Sequence, residues 1–128
     1  MTCIALAAYM EARQSYTDPD TMAAVAAVIM NRVEDHRYPD TACSVIADGS
    51  FPWFEKGMDI VPPMNGAPDQ WAWDVAKAVA LAELSGAGLD ITSTHFHTEG
   101  HVLFWTKHYK FDGCIGGNCF YTNDTPYK

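Results

Sequence analysis

Apolar residues recur at helical spacing from Cys3 to Tyr9 and run on into Met10-Glu11-Ala12-Arg13, which predicts a first helix. At 3.6 residues per turn, Glu11 falls among Ile4, Ala7 and Ala8 rather than opposite them. A carboxyl group on the greasy side of a helix is costly unless it is paired, hydrated in a cleft or kept protonated. The last two states suit a general acid. The plainer alternative is a surface charge beside Arg13 at a fraying helix end.

Further along, Gln14 to Asp20 is polar and carries Pro19, a loop in which Asp18 or Asp20 would cap the next helix. Thr21 to Val33 then places Met22, Val25, Ala26, Ile29 and Val33 on one stripe with alanine nearly everywhere else, the pattern of a central helix buried on most sides. Asn31 and Arg32 close it, either bracing a cleft or serving the helix end. Thr41 is expected to cap a short helix, Ala42 to Ala47, stopped by Asp48-Gly49. Ser50 to Pro68 lacks a sustained period and holds four prolines, Phe51, Trp53 and Phe54. Such a long loop in a small domain is usually functional. Asp69 should cap the longest helix, to about Ser85, with Trp71, Val75, Ala78, Val79 and Ala82 facing the core. Beyond Gly86-Ala87-Gly88 the period changes. Ile91 to His97 and Cys119 to Thr122 read as extended pieces, with a helical turn between Val102 and Lys107 and a frayed tail from Asn123. The pattern therefore predicts one mainly helical domain of the α+β class over residues 1–128, with a small hairpin or short strands near the C-terminus.

Composition narrows the partners. Eight Lys and Arg against sixteen Asp and Glu leave a formal charge of −8, so nucleic acid is not the expected partner, because phosphate neutralisation needs clustered bases. An anionic substrate would have to be held by stacking and hydrogen bonds. No apolar run approaches the roughly 20 residues needed to cross a bilayer. The opening apolar run has no basic segment before it and meets Glu11 and Arg13 at once, so it belongs to the folded protein and is not a secretion signal. The expectation is a monomer made in the cytoplasm, without membrane insertion. Four cysteines allow three pairings; Cys114 and Cys119 flank a turn, Cys3 and Cys43 would meet only through the fold, and free thiols remain an alternative.

Several motifs lie in one order along the chain: Tyr9-Met10-Glu11-Ala12-Arg13, Val28-Ile29-Met30-Asn31-Arg32-Val33 and Tyr38-Pro39-Asp40-Thr41-Ala42-Cys43-Ser44-Val45-Ile46. Ser50-Phe51-Pro52-Trp53, Thr94-His95-Phe96-His97, Trp105, and Ile115-Gly116 through Phe120-Tyr121 follow. Together they resemble the SleB-like cell-wall hydrolases, the spore-cortex-lytic enzyme family. The resemblance implies a lysozyme-like helical fold that cleaves the MurNAc–GlcNAc linkage of peptidoglycan glycan strands without a cofactor or metal. It implies Glu11 as the catalytic residue, and Ser50, Phe51, Trp53, His95, His97 and Tyr121 as residues lining the substrate. Phe51 and Trp53 are the expected sugar platform, although either could equally anchor its loop in the core. Tyr121 would hydrogen-bond the glycan or Glu11, and Tyr9 would point away.

One departure bears on mechanism. The family's Glu-Ala-Arg-Gly-Glu is here Glu11-Ala12-Arg13-Gln14-Ser15, so the adjacent acid is missing. A hydrolase needs a second carboxylate, and Asp48, Glu55 and Asp59 are the candidates. A lytic transglycosylase needs only one, which acts as acid and then as base, and this reading is preferred; a muramidase is the alternative. Another class of reading takes His95 and His97, an i,i+2 pair, with His101 or His108 as metal ligands of an amidase using Glu11 or Glu99. A non-catalytic glycan-binding module is a third. A cell-wall enzyme of this size suits a phage lysin released by a holin or carried in the virion.

Overall fold

In a computed structural model, the residues described are 2–13, 18–54, 62, 64–98, 100 and 103–124, the side chain of Phe104 excepted. Among them run α1 (Thr2–Ala12), α2 (Asp20–Val33), α3 (Ala42–Ile46), α4 (Ala67–Leu84), β1 (His95–Thr98), a 3-10 turn (Phe104–Lys107), β2 (Lys110–Ile115) and β3 (Asn118–Thr122). The strands form one antiparallel sheet in the order β1-β3-β2.

The core is built on α1. Cys3 through Tyr9 and Ala12 are all buried, and α1 touches α2, α3 and α4. A helix that is apolar all round must be enclosed all round, so α1 shares the central position expected of α2. In α2 the buried set is Thr21, Met22, Ala24 through Ile29 and Arg32, with Val33 half-buried. Cys3 and Cys43 are joined as a disulfide, which ties the start of α1 to α3.

Three helix details differ from expectation. Pro19 occupies the N-cap position of α2, and Asp18 instead accepts a 3.3 Å bond from the Asp20 amide. The longest helix begins at Ala67, with Gly66 (φ +90°) as its cap residue and Pro68 in the first turn, where a missing N–H costs nothing. Asp69 sits inside that turn and accepts from the Asn65 amide at 2.7 Å, a carboxylate matched to the positive helix end. The buried stripe of α4 is Ala72, Ala76 and Ala80, flanked by Val75 and Val79, whereas Trp71 is 57% exposed and Ala78 lies outside. Only alanines let α4 come close to α1, and the larger rings fall at the margins. Trp73 stands edge-on to Tyr9 at 5.7 Å. By contrast Thr41 caps α3 as expected, accepting from the Ser44 amide at 3.1 Å.

The sheet packs one face on α2: Phe96 and Phe120 join Ala24 and Val28. Strand β2 had no clear signal, since Lys110-Phe111-Asp112-Gly113 mixes charge with glycine. It forms because β3 pairs with it, and the register slips between Phe111 and Gly113, so Asp112 bulges. Asp112 then accepts 2.6 Å bonds from the hydroxyls of Ser93 and Thr122. Cys114 and Cys119 face each other across the hairpin as a disulfide. At the turn Gly116 has φ +60°, and a Cβ there would strike the Thr21 hydroxyl. Residues 91–94, expected as strand, are irregular but tied down, with Asn31 Nδ2 donating to the carbonyls of Ile91 (2.8 Å) and Ser93 (2.9 Å). Asn123 is held as well, its amide donating to Thr94 Oγ1 at 3.0 Å and its carbonyl accepting from Arg37 at 2.9 Å. The rest of the expected frayed tail, 125–128, lies outside the described residues, as do 14–17 of the first loop and 55–61 and 63 of the aromatic loop.

Candidate active site

Glu11 is the penultimate residue of α1, so the most enclosed helix fixes its backbone. Its side chain is half-buried, and Oε1 accepts a 2.8 Å hydrogen bond from Trp53 Nε1. Burial raises the Glu11 pKa above the ordinary carboxylate value, and the Trp53 bond partly offsets that rise. An indole N–H can only donate, so Oε1 must be an acceptor in both protonation states. The indole bond leaves Oε2 as the carboxyl oxygen that Trp53 does not engage.

Glu11 opens on a cavity of about 320 Å³ whose walls include Arg32, Ser50, Phe51, Pro52, Phe96, His97, Thr98 and Leu103. The strand β1 is a sheet edge. That is how three consecutive residues, Phe96 to Thr98, can all reach one cavity. In that wall, Arg32 is 5% exposed. It lies over the rings of Tyr38 (5.3 Å) and Phe51 (5.6 Å), and its Nε donates to the Thr94 carbonyl at 2.7 Å. Burial lowers its pKa, with Tyr38, Asp48 and Tyr109 opposing. Arg32 thus braces the cleft, binding the helical half to the segment that leads into β1, the opposite wall.

The expected site residues divide. Glu11, Ser50, Phe51 and His97 meet at the cavity. Phe51 is only 4% exposed, so it supports the wall from behind more than it offers a ring face. Trp53, a platform candidate, is the hydrogen-bond partner of Glu11. Tyr121 stands behind His97, its hydroxyl 3.2 Å from His97 Nε2. His95 is enclosed by Tyr38, Trp105 and Tyr109. Burial first, then Arg32 and Arg37, lowers its pKa to about 4, which leaves it neutral near pH 7. Tyr9 points away from the cavity, as expected, and is buried in the core against Trp73. Pro52, Phe96, Thr98 and Leu103 had not been singled out; Phe96 sat between two expected site histidines, but strand alternation assigns it to the core face.

Asp48 is exposed and accepts from the Ser50 amide at 2.9 Å without reaching the cavity. Glu55, Asp59, Glu99 and His101 lie outside the described residues. Among the described residues, Glu11 is the one carboxylate in the cavity wall, and no three His, Cys, Asp or Glu side chains cluster as a metal site.

Among the described residues, then, a helical frame holds one shielded carboxyl group at a cleft. The cell wall hydrolase family model matches residues 17–121, and the chain belongs to that family; it is a SleB-like, peptidoglycan-degrading enzyme. Among solved structures, the catalytic domain of the germination-specific lytic transglycosylase SleB from Bacillus anthracis matches with a TM-score of 0.60. It is 19% identical, and 95% of each chain is covered. No curated protein sequence matches. The matched family segment begins after Glu11, so the role of Glu11 rests on its geometry.

Proposed function

We propose that this enzyme cleaves the MurNAc–GlcNAc linkage as a lytic transglycosylase, with Glu11 as acid and then base. The observation that carries the reading is a partly desolvated carboxyl group that is held by an indole N–H and is, among the described residues, the one carboxyl group of the cavity wall. In the first half, Glu11 Oε2 gives its proton to the glycosidic oxygen as the bond to the anomeric carbon breaks. In the second, the Glu11 carboxylate takes the proton of the muramyl 6-hydroxyl, whose oxygen attacks the anomeric carbon and closes a 1,6-anhydro ring. Glu11 ends protonated, ready for another cycle. The opposed influences on Glu11 suit this double duty: burial favours the protonated acid, and the Trp53 bond favours the carboxylate that forms between the halves.

Ser50, His97 and the loop around Phe51 line the path of the sugar in this reading. Both disulfides suit action in an oxidising compartment such as the cell wall. The muramidase alternative needs a second carboxylate, for which Glu55 and Asp59 are the candidates. Digestion of purified murein with mass analysis of the sugar ends separates the two: anhydro ends are expected, and reducing ends would replace the proposal with hydrolysis.

A further inference from the structure

Outside the cavity, the outer face of the sheet carries a row of rings that the cleavage chemistry does not use. Antiparallel partners share a face. The pairings His95 with Tyr121 and Phe111 with Tyr121 therefore align residues of all three strands, and His97, two along from His95, joins them. The rings touch in sequence. His97 stacks on Tyr121 at 5.3 Å and 28°, and Tyr121 meets Phe111 at 5.2 Å. Trp105 stands edge-on to Tyr121 at 5.3 Å. One end of the row, His97, is already a wall of the cavity. The other end, Phe111, is 57% exposed, so core packing does not account for an aromatic residue there.

We propose that this row is a saccharide-binding strip that carries the glycan strand out of the cleft, with Phe111 as its far platform. The inference rests on the glycan-cleaving reading above and adds where the polymer runs. Its support is continuity with the cavity, chemistry and reach. Pyranose C–H faces pack on aromatic rings, and the Tyr121 hydroxyl, which meets His97 Nε2 at 3.2 Å, keeps hydrogen-bonding capacity for a sugar hydroxyl. A chain of net charge −8 gains little from ionic attraction to acidic wall strands, whereas neutral rings hold a sugar without regard to its charge. Two ring-to-ring steps, 5.3 and 5.2 Å, are comparable with the length of a disaccharide.

The test compares the intact protein with Phe111→Ala, Phe111→Leu and Phe111→Tyr on two substrates: purified glycan strands, and the shortest soluble fragment the wild type cleaves. The expected result for Phe111→Ala is a KM on strands raised about five- to tenfold, as loss of one stacking ring implies, with kcat unchanged and the short fragment unaffected. Phe111→Tyr should restore strand binding and Phe111→Leu should not. Equal effects on both substrates, no effect on strands, or equivalence of Leu and Tyr would overturn the strip. Should the wild type release nothing from murein, the cleavage mechanism fails. Pelleting of Glu11→Gln protein on sacculi, with and without Phe111→Ala, then still decides whether the row binds glycan, and equal pelleting refutes it.

Discussion

The helical half and the sheet half of this enzyme hold together by different physics. In the helical half, alanines on α1, α2 and α4 bring backbones close, and the contacts are almost wholly apolar. In the sheet half, short strands are held by directional bonds: Asn31 to the Ile91 and Ser93 carbonyls, Arg32 to Thr94, and Ser93 and Thr122 to Asp112, with a cross-strand disulfide at the hairpin. Glu11 stands at the seam. Its backbone belongs to the rigid half, and its surroundings, Trp53 and His97, come from loop and sheet. Close packing thus fixes where the proton donor is, and polar loops adjust what it experiences.

The largest effect should come at the seam. Glu11→Gln keeps the side-chain shape and an acceptor for Trp53 but loses the proton, and turnover of murein should fall by about 10²–10⁴-fold or more. Stability should move the other way. Since folding raises the Glu11 pKa, the unfolded chain gives up this proton at lower pH than the folded one. Above the ordinary Glu value the folded wild type is therefore penalised, and below it the penalty is gone. Glu11→Gln should melt above wild type at pH 7, with the difference vanishing in acid; calorimetry across that range reads it, and a lower Tm at pH 7 would contradict the burial argument.

Next in size is the staple of the helical half. Cys3 and Cys43 are 40 residues apart, and removing the link by Cys3→Ser with Cys43→Ser should cost about 4 kcal/mol on the chain-entropy scale, read by urea denaturation. The Cys114–Cys119 link closes a far shorter loop and should cost less. Alanine contacts come third: Ala76→Leu, at a fully buried position between α4 and α1, should destabilise by about 1–3 kcal/mol through overpacking. An equal change at exposed Ala78 should be nearly silent. The smallest change concerns Trp53. Phe at that position removes the bond that favours the carboxylate, so the Glu11 pKa rises further and the alkaline limb of the kcat/KM profile moves to higher pH. A limb that stays or moves down would show that Trp53 does not tune Glu11.

Much of the helical frame was legible in the chain because apolar spacing at 3.6 residues survives whatever the partners are. Glu11 was legible for the same reason, being an acid out of place on an apolar face. Trp71 and Ala78 misled because the face drawn through Val75 and Val79 was set slightly off: the fully buried positions are Ala72, Ala76 and Ala80, and Val75 and Val79 flank them. Strand β2 escaped because Lys110 to Gly113 has no strand preference of its own and takes its form from β3. Trp53 was legible as an aromatic residue near the site, but not as the donor to Glu11, since a loop's path is not written in its period.

By itself, the order of residues determined a mainly helical protein with one anomalous carboxylate near the end of its first helix, because periodicity and burial are local consequences of side-chain chemistry. Only the tertiary structure decided which indole meets that carboxylate, which cysteines pair, and that Phe111 meets Tyr121 on one face of the sheet. Those facts depend on distances between segments far apart in the chain, and such distances follow from packing and strand register.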